Sequence, residues 1–488
     1  MKQLSYISLA VAAAFAVGDA AAVGLTQNIW ASGASAPTRA EYNAFASNCS
    51  AAGITIYMNG TSSTLTSASR PGDASTGNWF RYSCVIDAAK TATFKAWDGD
   101  TVNMYHTVEG GSFVAFQPHL PTPTPAARID PALTGCVSLG TSGGVTVFKS
   151  CAKTTATNAS RPDGGFADVE DDLWPTLNQG VNFAHKTANV SQLFGVAVTD
   201  ALYMAMQDKQ KADGDMDATC VTGDFTPGKC QPNIGHDQYR AMISVTGAGG
   251  AYQADWQPLA GAAGSGKTVR VCRRVESSGT QASSTAYFLE NPCRQWIPAS
   301  GLQFPSTNLD DAAGLYDVVE NSGTGDVKAC LTNSNNIVSK TNASNGAAGN
   351  YASTAATNFA IGVMSAENIV ASTDKFKYLK LDGVSPNADA KQRAAGAKGK
   401  YGFVMELAYF AVPQVGEGSV SKPLTLNPSF DTAPFFDELA NDMADPAVLD
   451  LAGVFVAPTA PIAPAFDGDK VGSGAKFGNN CAPQTLFF

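Results

Sequence analysis

The 488-residue chain is long enough for one large core or two to three ordinary domains, and with 44% hydrophobic against 15% charged residues most of it should fold. Its formal net charge of −10 argues against a nucleic-acid partner and against attachment to an anionic membrane surface. Small-anion binding stays open, because local hydrogen-bond donors can oppose a global field over a few ångströms.

Residues 1–22 read as an export signal: Lys2 is the positive start, Leu4 to Val17 the apolar segment and Ala20-Ala21-Ala22 the small-residue cleavage site. That run is short for a bilayer span, and no later stretch approaches transmembrane length. The expectation is a protein that is not membrane-embedded and works in the periplasm or outside the cell. Ten cysteines suit an oxidising compartment. None forms a CxxC pair and the four histidines are scattered, so neither a zinc site nor another cofactor is expected. Cys136 with Cys151 and Cys220 with Cys230 are the expected bridges, each closing a Gly- and Thr-rich loop. Closing a loop of about 15 residues contributes roughly 3 kcal/mol in the chain-entropy model.

The mature start, Asn28 to Thr38, reads as a strand, a small-residue loop and a helix opened by Pro37, with Tyr42 and Phe45 on its apolar face. Ile54 to Tyr57 is a short strand running into Asn59-Gly60-Thr61-Ser62-Ser63. Two strands that both end in small hydroxyl residues point to loops converging at the carboxyl edge of a parallel sheet. From Leu65 to Ser160 the texture changes to Thr, Ser and Gly with short alternating runs and a Pro-rich break at 121–125, which reads as a β-rich insertion. Gly165 to Glu170 follows, then helical pattern through Asp200 to Lys211 and again over Gln238 to Ile243. Lys267 after Gly264-Ser265-Gly266 lacks phosphate-loop spacing and is a plain turn. Phe359 to Met364 and Tyr401 to Phe410 are buried-type strands.

The most informative stretch is Arg273-Arg274-Val275-Glu276-Ser277-Ser278-Gly279-Thr280, between a short apolar strand and a helical segment. A strand leading through Ser-Gly-Thr into a helix aims amides and hydroxyls at one spot, where the helix dipole favours negative charge. An Arg guanidinium beside it can grip two oxygens at once. A helix cap with a nearby surface Arg would leave the same pattern.

Together these pieces resemble the phosphate-binding members of the periplasmic solute-binding proteins. Gly33-Ala34-Ser35-Ala36 matches the first loop of that family, Thr61-Ser62-Ser63 the second and Ala167-Asp168 the third; Arg274 with Ser278-Gly279-Thr280 matches the Arg-x-x-x-Ser-Gly-Thr loop of the opposite lobe. The resemblance implies an α/β, two-lobed (Venus-flytrap) fold with a β-rich insertion in the first lobe. Its parts would be 23–64 for the start of lobe 1, 65–160 for the disulfide-containing insertion, 161–255 for the rest of lobe 1 and the crossover, 256–400 for lobe 2 and 401–488 for the return and tail. It further implies that inorganic phosphate is bound without a covalent step by Ser35, Thr38, Ser62, Ser63, Asp168, Arg274, Ser278, Gly279 and Thr280, and that a membrane ABC permease is the partner. Asp168 would discriminate, since an ionised carboxylate can only accept a hydrogen bond and a protonated phosphate can supply it. Pro37-Thr38 stands where the family has Thr-Phe, which displaces the first-loop hydroxyl by a residue. The competing reading is an extracellular structural or adhesion protein that keeps the fold without transport. An exported phosphatase ranks last, for want of metal ligands.

Overall fold

The computed structural model describes residues 25–60, 77–87, 89–90, 97–123, 135–153, 161–246, 255–294, 302–304, 316–335, 358–412, 432–459 and 468–487. Residues 1–22, read as an export signal, lie outside these.

Strand β1 (Thr26–Ser32) is buried along most of its length and runs through Gly33 to Ala36 into α1 (Thr38–Ser47). After it come β2 (Cys49–Met58), β3 (Trp79–Ile86), β4 (Thr101–Thr107), β5 (Val137–Ser142), β6 (Val145–Lys149), β7 (Gly164–Ala167) and the long β8 (Lys186–Thr199). Helix α2 (Asp200–Asp213), with Thr199 accepting from the Leu202 amide at its start and Gly214 ending it at φ +82°, leads into the second half. There the chain forms β9 (Asn233–Ile234), α3 (His236–Ile243), β10 (Val245–Thr246), a short α4 (Gln257–Ala260), β11 (Val269–Arg274) and α5 (Gly279–Leu289). It continues through β12 (Leu302–Gln303), β13 (Tyr316–Asn321), a helix at Thr324–Asn335, β14 (Ala360–Ser365), β15 (Phe376–Tyr378) and β16 (Lys380–Leu381). The return is β17 (Val404–Ala411), a helix at Ala433–Met443, β18 (Val454–Val456) and the tail strands β19 (Gly474–Ala475) and β20 (Thr485–Leu486).

Two parallel cores share one path, β13-β11-β14-β8-β17-β7-β1-β4-β3-β2-β6-β5. In lobe 1, β1 lies between β4 and β7 and is parallel to both. In lobe 2, β11 lies between β13 and β14 and is parallel to both. The first part of β8 pairs with β17 and β18, its last part with β14 and β15, so one strand serves both lobes. Chain therefore crosses between the lobes at Leu193–Phe194 and again just before β17, where the Phe194 amide donates to the Phe403 carbonyl at 3.0 Å. The fold is α/β, with helices of each half packed on its own sheet.

One apolar cluster fills lobe 1 between the sheet and α1, including Ile29, Phe45, Val102, Met104 and Phe436. A second runs from lobe 2 into the loops of lobe 1, joining Trp256, Val271, Phe288 and Ile361 to Phe113, Phe116, Val169 and Trp174. Each such side chain taken fully from water contributes about 1.5–3 kcal/mol.

The 65–160 stretch differs from its reading as an insertion. Its strand β4 pairs with β1 at seven successive positions, Thr26 with Thr101 through Ser32 with Thr107. Strand β3 joins β4 to β2, so β2 is three strands removed from β1. The alternating run that begins at Thr101 is this strand, and its Val102 and Met104 are wholly buried.

All ten cysteines are paired: the two expected bridges form, along with Cys49–Cys84, Cys272–Cys330 and Cys293–Cys481.

Candidate functional site

Because β1, β4 and β7 are parallel, the turns after them leave one sheet edge together: Gly33–Ala36, Val108–Phe113 and Asp168–Glu170. The turn Val275–Ser278 after β11 does the same from lobe 2. Close backbone packing holds the lobe 1 turns in register. The Gly33 and Ala34 amides donate to the Thr107 and Phe166 carbonyls at 3.0 and 2.8 Å. A side chain on Gly33 would stand 1.9 Å from the Phe166 carbonyl oxygen, so the sequence needs glycine there.

The two edges meet. The Phe113 amide donates to the Ser277 carbonyl at 2.9 Å, and Ser277 Oγ donates to the Gly110 carbonyl at 2.6 Å. Trp174 Nε1 donates to the Glu276 carbonyl at 3.0 Å. Gly111, at φ +87°, allows this approach: a Cβ there would lie 2.9 Å from the Ser277 carbonyl oxygen. At the centre, the Gly279 amide donates to Ser112 Oγ at 3.0 Å and Ser112 Oγ donates to Asp168 Oδ2 at 2.9 Å. A hydroxyl thus relays the start of α5 in lobe 2 to a carboxylate of lobe 1. Since Ala282 is the first α5 amide to reach back to Ser278, the Thr280 and Gln281 amides lie at the positive end of the helix.

Asp168 and Arg274 are 3% and 5% exposed, and each keeps one polar atom, Asp168 Oδ1 and Arg274 Nε, without a hydrogen-bond partner. Burial pushes the Asp168 carboxyl up to about 6, opposed by the Ser112 hydrogen bond and the Arg274 charge. Burial likewise lowers the proton affinity of Arg274, opposed by Asp168, Asp326 and Glu367. The guanidinium is positioned by Thr324 Oγ1 at 3.0 Å, at the start of the helix after β13, and by the Ser322 carbonyl at 2.8 Å, in the turn before it. Arg273 points the other way and pairs with Glu320 at 2.6 Å, as strand alternation requires.

The remaining expected residues divide. Ser278 is buried at the N-terminal boundary of α5, yet its side chain makes no capping bond. Thr280 is buried in the first turn of the helix. Ser35 is half-buried in the first turn, whereas Thr38 is fully buried and its hydroxyl donates to the Ala34 carbonyl at 3.3 Å. Ser62 and Ser63 lie outside the described residues, and the strand before them, β2, is separated from β1 by β3 and β4. The hydroxyl that the structure brings to Asp168 is instead Ser112. The sequence signal for it was available: Thr101–Thr107 running into Gly110-Gly111-Ser112 repeats the strand-to-hydroxyl-turn pattern of the other loops.

Two further carboxyls feel Asp168. Glu41 of α1 is wholly buried beside His106 of β4, with Glu41 Oε2 3.3 Å from His106 Nε2. Burial, then the Asp168 charge, raises Glu41 well above the usual range, while burial takes His106 down to about 3, so burial favours the neutral form of each. Glu367, just past β14, is pushed up to about 8 by burial and by Asp168, against Arg39, Ser365 and Lys328. Among the described residues there is no group of three or more His, Cys, Asp or Glu that could hold a metal ion, and no helix is long and apolar enough to cross a membrane.

No family model matches the sequence, and no curated protein is significantly similar to it. Solved structures do match. A putative phosphate ABC transporter substrate-binding protein with bound phosphate from Clostridium perfringens is 11% identical, with 87% of this chain and 96% of that one covered at a TM-score of 0.36. A possible phosphate binding protein from Planctomyces limnophilus is 10% identical over 80% and 82% of the two chains (TM-score 0.28). A phosphate-binding protein from Stenotrophomonas maltophilia is 14% identical over 79% of each (TM-score 0.32). The chain is thus similar, across most of its length and at low TM-scores, to proteins described as phosphate-binding, one of them a putative phosphate ABC transporter substrate-binding protein.

Proposed function

We propose that this protein is an exported solute-binding protein that holds inorganic phosphate, or a similar protonated oxyanion, between its two lobes and delivers it to a membrane ABC permease. One observation carries the reading: a buried carboxylate and a buried guanidinium, each with a polar atom left unpartnered, flank the N-terminus of α5 where the lobes touch. Guanidinium, amides and helix dipole favour an anion. An ionised carboxylate beside them rejects any anion that brings no proton, so fully ionised sulfate is disfavoured and hydrogen phosphate accepted. Closure follows from the donors lying on opposite lobes, because only the closed form lets both sets reach one ligand. Five disulfides favour an oxidising compartment.

Calorimetric titration of the protein with phosphate, sulfate and arsenate tests this. Phosphate binding in the micromolar range or tighter that sulfate does not displace is the expected result. Absence of binding by every oxyanion across several pH values removes the reading and leaves a scaffold protein.

A further inference from the structure

The last residues of the described chain do more than pack. After β18 the tail turns back along the crossing strands, and Asn480 sits wholly inside the protein. Its backbone amide and side-chain amide donate to the two Glu170 carboxylate oxygens at 2.8 and 2.5 Å, two residues beyond Asp168. Its Oδ1 accepts from the Glu406 amide at 2.7 Å and its Nδ2 also donates to the Glu406 carbonyl at 2.9 Å, which fixes the same turn to β17. The Glu406 carboxylate in turn accepts from the Lys476 and Gly478 amides at 2.5 and 2.6 Å. All these anchors belong to lobe 1 or to the strands that cross between lobes.

The neighbouring residue, Cys481, is bonded to Cys293, 188 positions earlier, with Cα atoms 5.1 Å apart. Cys293 belongs to lobe 2, four residues past the end of α5, the helix whose other end carries Gly279. Between Tyr287 of α5, Glu290 just past its end, and the tail residues Lys476 and Gln484 lies a groove of about 460 Å³, and the disulfide lies at its wall. Tyr287 stacks on Phe403, at the second crossing, with ring centroids 4.6 Å apart.

We propose that residues 474–486 form a covalent clasp across the lobes: the Cys293–Cys481 bridge ties the C-terminal end of α5 to the turn that holds Glu170, and so limits how far the lobes part. An eleven-residue helix is about 16 Å long. A tether at its far end lets the Gly279 end swing away from Ser112 but keeps the helix from being drawn off bodily. The clasp also stiffens the turn bearing Asp168, because both Glu170 oxygens are occupied by the tethered Asn480. Opening is thereby confined to a pivot beside Phe403, and ligand escape is slowed.

The test compares the parent with the Cys293→Ser, Cys481→Ser double variant. Small-angle scattering of the ligand-free proteins should give a larger radius of gyration for the variant, and saturating phosphate should bring the two together. Stopped-flow release of phosphate should be about tenfold faster in the variant, the off-rate being where such changes fall. Superimposable ligand-free scattering with equal release rates overturns the clasp. The release measurement rests on the phosphate reading above, whereas the ligand-free scattering does not. A parent that binds no phosphate therefore defeats that reading and leaves the clasp to be decided by scattering alone. If the double variant does not fold, Asn480→Ala, which keeps the bridge and the backbone amide bond to Glu170 but removes the three side-chain bonds to Glu170 and Glu406, should expand the ligand-free protein in the same direction. An unexpanded Asn480→Ala protein then overturns the clasp.

Discussion

Gly279→Ala is the sharpest perturbation of the closed cleft. The new methyl would stand 2.4 Å from Ser112 Oγ and 2.5 Å from both Cβ and Oδ2 of Asp168. None of these atoms is the loose end of a long side chain: Ser112 is held by Gly279 and Asp168, and Asp168 is buried in a turn one residue past β7. The clash exists only while the lobes touch, so the energy needed to relieve it is charged to closure and not to the folding of either half. Overpacking of this kind costs about 1–3 kcal/mol, and at 1.4 kcal/mol per factor of ten phosphate affinity should fall roughly 5- to 150-fold. Calorimetry of parent and variant at one pH gives the ratio, and thermal melts without phosphate check that the folded state is otherwise intact. A variant that binds phosphate within twofold of the parent, with an unchanged melt, would refute the argument that Gly279, Ser112 and Asp168 meet in the liganded state.

Arg274→Ala should weaken phosphate binding at least tenfold, about 1.4 kcal/mol, by calorimetry; an unchanged constant takes the guanidinium out of the site. Asp168→Asn should narrow the preference for phosphate over sulfate, and competition titration reads the ratio. The same carboxyl sets a pH dependence: raised to about 6, it loses its acceptor role as pH falls through that value. Parent phosphate affinity should therefore drop below pH 6, and the Asn variant should lack this step. His185, 2.6 Å from Asp171, is raised above the ordinary imidazole range chiefly by that hydrogen bond. Its contribution to stability is present below about pH 6.5 and is lost as pH rises through the raised value. Urea titrations should show that loss in the parent and not in His185→Gln.

Much of this arrangement was legible from residue order. The Arg274-to-Thr280 run announced a strand, a tight turn and a helix start, and β11 and α5 follow it closely. Gly33 and Asp168 belong to turns whose strands are neighbours, as convergence at one edge demands. The second loop could not be placed by order along the chain, because strand pairing is non-local. β2 comes next after β1 in sequence, but β4 comes next in space. Ser112 was hidden for that reason, although its own stretch carries the same turn chemistry. The Glu41–His106 pair had no local signature at all, since a glutamate on a helix normally faces water and only tertiary packing brings its side chain to His106 and buries both. Likewise the Cys293–Cys481 bridge spans most of lobe 2 and the return, a distance at which spacing carries no information.

The fourteen residues of β8 have a mechanical consequence. Leu193 faces Val404 and its successor Phe194 faces Ser365, so a single peptide separates the ladder of one lobe from that of the other. No flexible loop is available there to absorb rotation, and a strand yields by changing its twist while keeping its hydrogen bonds. Rotation of one half against the other is therefore taken up as twist along β8, which makes a single resting angle the favoured one.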